Sequence, residues 1–226
     1  MRLDAFLCRA GYSRGEAQRL IKRKEVTVNG SLCNLPSFGI SFGDTVAVCG
    51  EEVWGEEFIY LALNKPAGFV CTTDPGPDCV LNLIPKKYRV KGLSPVGRLD
   101  KETTGLLFLS NDGDFIHRMI SPKKHCPKEY IAVLKYRVDE DQIQALTGGI
   151  LLSDGTRCLP AEVSLLNEKT ASVILTEGKY HQVRRMFAAA GNFVVSLQRV
   201  RIGNLSLDGL AEGQIRLLSQ EQISEV

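Results

Sequence analysis

The segment GRLDKETTGLLFLSNDG, residues 97–113, holds the sharpest chemical signal in the chain. Gly97 and Gly105 bracket a polar loop that runs directly into an apolar stretch of strand character. Polar loops anchored on a rigid sheet are where binding and catalytic groups concentrate. Asp100 sits there among Arg98, Lys101 and Glu102, so a neighbouring cation would keep its carboxylate ionised even when partly buried. By residue type alone, a loop cap or a surface ion pair is the more ordinary role for such a carboxylate. Tyr130, in the strand-like YIAVLKY, reads in the same way as an ordinary core aromatic.

Other chemistries lack their residues. The three histidines, His117, His125 and His181, have no HExxH or comparable ligand spacing. The seven cysteines are odd in number and scattered without a CxxC pair, which reads as reduced thiols serving as small apolar residues. No metal and no cofactor is expected. No apolar run approaches the roughly 20 residues that span a bilayer. The opening MRLDAFLCRA carries Asp4 and lacks an apolar signal region, so a soluble, cytoplasmic protein is expected.

The elements that would position these residues fall into two groups. With 226 residues, 44% hydrophobic and 24% charged, the chain suits a small domain followed by a larger one. Leu3, Phe6, Leu7 and Ala10 share one face of a first helix, which Gly11 ends. Ser13 and Glu16 form a capping box for a second helix, whose stripe is Ala17, Leu20 and Ile21. VTVNG predicts a hairpin turning at Asn29-Gly30, and DTVAV, residues 44–48, its closing strand. Residues 1–24 hold Arg2, Arg9, Arg14, Arg19, Lys22, Arg23 and Lys24 against Asp4 and Glu16, a surplus that suits a polyanionic partner. The acidic, glycine-punctuated CGEEVWGEE, residues 49–57, reads as a linker.

From Phe58 to Val226 the pattern is of a second domain. FIYLALNKP is a strand that stops at Pro66, and CTTDPGPDC is a loop. Strands are predicted at GLLFLS, YIAVLKY, ASVIL, NFVVSLQRV and QIRLL, and helices over 114–120, 139–147 and 181–190. The fold class is α+β: two helices and a small sheet, then a mixed, mainly antiparallel sheet with flanking helices.

The N-terminal pattern, with Arg2, Leu3, Asp4, Leu7, Gly11, Ser13, Arg14, Ala17, Leu20, Ile21, Val26, Val28, Asn29 and Gly30 in place, resembles the S4 RNA-binding domain. That resemblance implies that Arg14, Arg19, Lys22, Arg23 and Lys24 meet RNA backbone. GRLDKETTGLLFLSNDG is similar to the central motif of the bacterial ribosomal pseudouridine synthases of the RsuA family, in which the aspartate is the nucleophile; here it is Asp100. YLALNKPAGFVCTTD, residues 60–74, resembles the family's first motif through Asn64, Lys65, Pro66 and Gly68. HCPKEYIAVL, residues 125–134, resembles its KxY motif through Lys128 and Tyr130. Residues 177–207 resemble its C-terminal motif through Glu177, Gly178, His181, Gln182, Arg184, Arg185 and Met186.

The family resemblance implies a pseudouridine synthase fold and a cofactor-free isomerisation of a flipped uridine. It assigns Tyr130 to stacking on the uracil and Arg184 to pairing with Asp100. Arg185 is the rival for that pairing or a phosphate contact, since adjacent helical residues point different ways. Lys65 and Arg98 are expected as RNA contacts, His181 and Gln182 as braces for their helix, and Leu197 as packing beneath the tyrosine. Glu129 is expected on the opposite strand face from Tyr130 and tolerant of change. The implied partner is ribosomal RNA or the assembling small subunit, with a monomer as the default state. Large-subunit RNA is the alternative target. A non-catalytic RNA-binding assembly factor is the alternative class, and a sugar hydrolase a remote one.

Overall fold

The computed structural model describes residues 1–55, 58–121 and 124–224, and it divides into two compact units. The first unit comprises residues 1–59 together with 84–93. Helices α1 (Leu3–Arg9) and α2 (Arg14–Lys22) precede a sheet of β1 (Val26–Val28), β2 (Ser31–Leu32), β3 (Val46–Val48) and β4 (Glu51–Val53), in the order β2-β1-β3-β4. The capping box forms as its residues predict: Ser13 Oγ accepts from Glu16 N, and Ser13 N donates to the Glu16 carboxylate. Leu3, Phe6, Leu7, Ala17 and Ile21 close over Val26, Val28, Val46 and Val48 in one apolar core.

The stretch 49–57, expected as a linker, instead supplies β4, which pairs antiparallel with β3. Trp54 stacks edge-on against Tyr88, with ring centroids 5.5 Å apart, and Lys87 pairs with Glu52. These contacts bring residues 84–93 into the first unit. Residues 56 and 57 of the expected linker lie outside the described residues.

The second unit comprises residues 60–83 and 94–226. Among its described residues run β5 (Tyr60–Lys65), β6 (Ser94–Val96), β7 (Thr104–Ser110), α3 (Gly113–Ile120), β8 (Lys128–Leu134), α4 (Glu140–Thr147), β9 (Glu162–Asn167), β10 (Thr170–Leu175), α5 (Gln182–Ala189), β11 (Val194–Ile202), β12 (Leu205–Ser206), β13 (Ile215–Leu217) and α6 (Gln220–Ser224). The sheet runs β13-β5-β7-β11-β8-β10-β9, with β12 beside β11 and β6 beside β7. Pairing is antiparallel except between β7 and β11, which run parallel through Gln198↔Thr104 and Arg199↔Gly105. A mixed, mainly antiparallel sheet with flanking helices is therefore the observed architecture.

Two apolar clusters fill this unit. One joins Phe108, Phe115, Met119, Ile202 and Ile223; the other joins Leu134, Leu146, Leu175, Val183, Met186, Phe187 and Leu197. On β7, apolar residues at successive positions are buried on both faces, which is why GLLFLS lacks polar alternation.

Candidate active site

The loop that carries Asp100 joins β6 to β7, and four consecutive residues of it are tethered. The Arg98 carbonyl lies 3.5 Å from Arg199 Nη1, and Leu99 N donates to Cys71 Sγ at 3.3 Å. The Asp100 carbonyl accepts from Thr103 N at 3.1 Å. The Lys101 carbonyl accepts both from Gly68 N at 2.9 Å and from Lys65 Nζ at 3.1 Å. Lys65 gives a second hydrogen bond to the Pro66 carbonyl at 2.8 Å.

Lys65 is 0% exposed, so it offers no surface to a phosphate, and its expected RNA contact is replaced by this bracing of the loop. A lysine is buried here because two backbone carbonyls take its protons. Burial pushes its ammonium below the ordinary lysine range, and the carboxylates of Glu102 and Asp100 act the other way. Burial likewise pushes the Cys71 thiol up, which keeps it a neutral acceptor for Leu99 N.

With its backbone held, Asp100 presents a carboxylate whose side chain is 31% exposed. Its Oδ2 lies 3.5 Å from Thr103 Oγ1, and its Oδ1 lies 3.3 Å from His181 Nε2. His181 is not the brace for α5 that its position suggests, since its side chain makes no capping bond there. It stands before the first helical turn with φ of 49°, in the left-handed region, and its ring reaches Asp100 instead. Gln182 does brace the turn, accepting from Lys179 N at 2.9 Å and donating to Glu177 Oε1 at 2.5 Å.

Asp100, Tyr130 and His181 line an open cleft of about 930 Å³, at the upper end of the range for small-ligand sites. Its walls come from both apolar clusters, Phe108 and Met119 from one, Leu175 and Leu197 from the other. Tyr130, on β8, packs against the apolar cluster that contains Leu197. Arg98 is exposed on the Asp100 loop at the lining of this cleft.

Arg184 is not brought to Asp100. Its Nη1 donates at 3.0 Å to the carbonyl of Val194, the first residue of β11, and it is not among the residues lining the cleft. Arg185 pairs with Asp154 and donates to the Tyr180 carbonyl. Besides the exposed Arg98, the cleft is lined by a buried arginine, Arg199, 3% exposed on β11. Its Nε donates to the Leu106 carbonyl at 2.7 Å, and its Nη1 lies 3.5 Å from Tyr130 Oη. The guanidinium carbon stands 6.0 Å from the Tyr130 ring centroid. Strand alternation is the signal that points to it, since Leu197 and Arg199 share a face and both are buried.

Glu129 does face away from the cleft, but it is engaged. Its carboxylate accepts from Ser172 Oγ at 2.7 Å and from Arg201 Nε at 2.9 Å. The Ser172 hydrogen bond holds it below the ordinary carboxylate range, with Arg201 adding to that against burial. Its expected tolerance of change is therefore not supported. In the first unit, Arg14, Arg19, Lys22, Arg23 and Lys24 are all exposed.

Known proteins share this arrangement of domains. Residues 59–189 match the model of the RNA pseudouridylate synthase family, and residues 1–46 match the S4 domain. The chain is 41% identical to ribosomal small subunit pseudouridine synthase A of Vibrio parahaemolyticus, covering 100% of this chain and 99% of that protein. It is 40% identical to the uncharacterized RNA pseudouridine synthase YtzG of Bacillus subtilis, over 99% and 97% of the two. A crystal structure of a pseudouridylate synthase matches with 38% identity and a TM-score of 0.70, over 100% of this chain and 99% of the other.

Proposed function

The chain belongs to the RNA pseudouridylate synthase family, and from that premise we propose that it isomerises one uridine of small-subunit ribosomal RNA, with Asp100 as nucleophile. The observation that carries the proposal is the tethered 98–101 loop, which sets the half-buried Asp100 carboxylate in the cleft that Tyr130 also lines. Positioning of this kind removes much of the orientational cost before substrate arrives.

The target base leaves its stack and enters the cleft, at a cost of a few kcal/mol in a duplex and less in a loop. Tyr130 stacks on it. Asp100 attacks C1′ of the ribose, and the electron pair of the broken bond leaves on uracil N1. The base turns, C5 bonds to C1′, and the carboxylate leaves with its electron pair. The C5 proton is lost and N1 gains one, so atoms and charge balance without a cofactor. Arg199 acts as a positioning residue that ties the Tyr130 hydroxyl to the loop and to β7. Identity near 40% to small-subunit enzymes over the whole length favours that RNA as target.

The test is pseudouridine mapping of both ribosomal RNAs from cells lacking the protein, complemented with wild type or Asp100→Asn. The expected result is one small-subunit site lost and restored by wild type alone. The Asp100→Asn change removes charge but little volume, so residual turnover above a few per cent would refute the nucleophile assignment. A lost large-subunit site would move the target, and no lost site would leave a non-catalytic assembly factor.

A further inference from the structure

Tyr180 is 75% exposed at the lining of the cleft, which the partly covered Tyr130 also lines. Its ring lies flat on His181, with centroids 3.8 Å apart and planes within 17°. His181 in turn touches Asp100. Nothing in the packing of the core calls for this arrangement, because an exposed tyrosine gains little from burial. The turn that displays it is nevertheless built firmly. Glu177 accepts from Leu159 N and Gln182 Nε2 and pairs with Lys179, and the Tyr180 carbonyl accepts from Arg185. His181 holds a left-handed φ of 49° there, a conformation that costs a non-glycine residue energy and persists where its surroundings over-determine it.

We propose that Tyr180 is a stacking platform for the base of a nucleotide adjoining the target uridine. This deepens the reading of the cleft as a uridine-isomerising site and rests on it. With one face of Tyr180 on His181, the exposed ring presents a flat π-surface at the lining of the cleft. Single-stranded RNA is held by such surfaces, and every base has a face to stack. The ligand class is an unpaired nucleotide, taken with little regard to base identity. In the Tyr180–His181–Asp100 succession, that neighbour would be separated by the Tyr180 ring from His181, which touches the carboxylate. A flipped uridine and its neighbour would thereby be seated together.

The experiment measures RNA affinity by anisotropy and pseudouridine formation in single turnover, side by side. The enzymes are wild type and the Tyr180→Ala, Tyr180→Phe and Tyr180→Trp variants. The RNA is the ribosomal segment around the mapped uridine, intact or carrying one abasic nucleotide at each flanking position in turn. Loss of one base–aromatic stack corresponds to roughly 5- to 150-fold in affinity. Tyr180→Ala is expected to bind intact RNA weaker by that factor, and Phe or Trp to restore most of it. At one flanking position the abasic RNA should weaken wild type similarly and Tyr180→Ala no further. Affinity of Tyr180→Ala within twofold of wild type, or equal abasic penalties for both at every position, would overturn the proposal. If the coupling appears while wild type makes no pseudouridine, the platform stands and the isomerase reading falls. Pseudouridine formed without the coupling has the opposite meaning.

Discussion

A single methyl group at Gly105 tests how the candidate site is anchored. Gly105 pairs with Arg199 where β7 and β11 run parallel, in a contact of two registered residue pairs. A Cβ there would lie 2.1 Å from the Arg199 carbonyl oxygen and 2.7 Å from its nitrogen, both backbone atoms that cannot swing aside. Its φ of 102° is also one that a side chain disfavours. Strain of this kind costs ~1–3 kcal/mol, and overpacking against backbone adds about another 1–3 kcal/mol. A loss of ~2–6 kcal/mol is a large part of the 5–15 kcal/mol that holds a typical domain. It corresponds to roughly 5–20 °C in Tm for a chain of this size. Displacing β11 also moves the Arg199 guanidinium from Leu106, Arg98 and Tyr130. Gly105→Ala should therefore lower both Tm and, below the melting transition, the single-turnover rate. Gly113→Ala is the control, since nothing lies within 4 Å of its added carbon. Calorimetry and a rate measurement at 20 °C check this. A Tm within about 2 °C of wild type would refute the reading of the β7–β11 contact, and an unchanged rate would refute its link to the site.

Two further outcomes follow from groups that are not among the cleft's lining residues. Tyr60 donates to Asp112 at 2.6 Å, and burial first, then that carboxylate, push its hydroxyl up to about 12 from 10.0. A raised folded pKa stabilises below the unfolded value, so this contribution is complete under pH 10 and is lost as pH rises toward 12. It amounts to roughly 2–3 kcal/mol. Urea melts of wild type and Tyr60→Phe should converge by that amount between those pH values, and parallel stability curves would exclude it. In the first unit, neutralising the exposed Arg14, Arg19, Lys22 and Arg23 should flatten the salt dependence of RNA binding. The slope of log affinity against log salt should fall by about 0.7–0.9 for each phosphate that is no longer neutralised. An unaltered slope in a titration series would show that this face does not carry the RNA.

Much of the fold and part of the site are legible in residue pattern, for reasons that differ by element. The capping box at Ser13 and Glu16 is a local code, and both of its hydrogen bonds form. The apolar runs of β5, β7 and β10 need no tertiary information because they bury both faces of a strand. The edge strand β9 escapes the pattern because EVSLLN keeps Leu165 and Leu166 exposed and shows no alternation. Residues 84–93 belong with the first unit through the Trp54–Tyr88 and Lys87–Glu52 contacts, which no spacing rule encodes. Lys65 reads as a surface cation because its burial depends on two carbonyls, one of them 36 positions away. The reach of His181 to Asp100 is hidden because a left-handed φ at a non-glycine residue leaves no mark in sequence. Arg199 is legible from its alternation with Leu197, but the adjacent arginines of the helix are the more conspicuous pair.

The carboxylates differ in how closely their oxygens are held. Asp4 takes a two-pronged pair with Arg2 at 2.9 and 3.0 Å, and Glu129 is gripped by Ser172 and Arg201 at 2.7 and 2.9 Å. Short charge-assisted bonds of this kind lower the carboxylate's basicity and occupy its lone pairs. Asp100 differs, since its nearest polar neighbours stand at 3.3 and 3.5 Å while its backbone and those of its neighbours are closely held. A chain that needed only a stable loop would gain more by closing a short pair on that carboxylate. Under the proposed function, holding the peptide firmly and the oxygens loosely would serve an attack on carbon, because orientation is supplied in advance and lone pairs stay available. The buried charges of Lys65 and Arg199, directed at loop and strand carbonyls rather than at Asp100, follow the same logic.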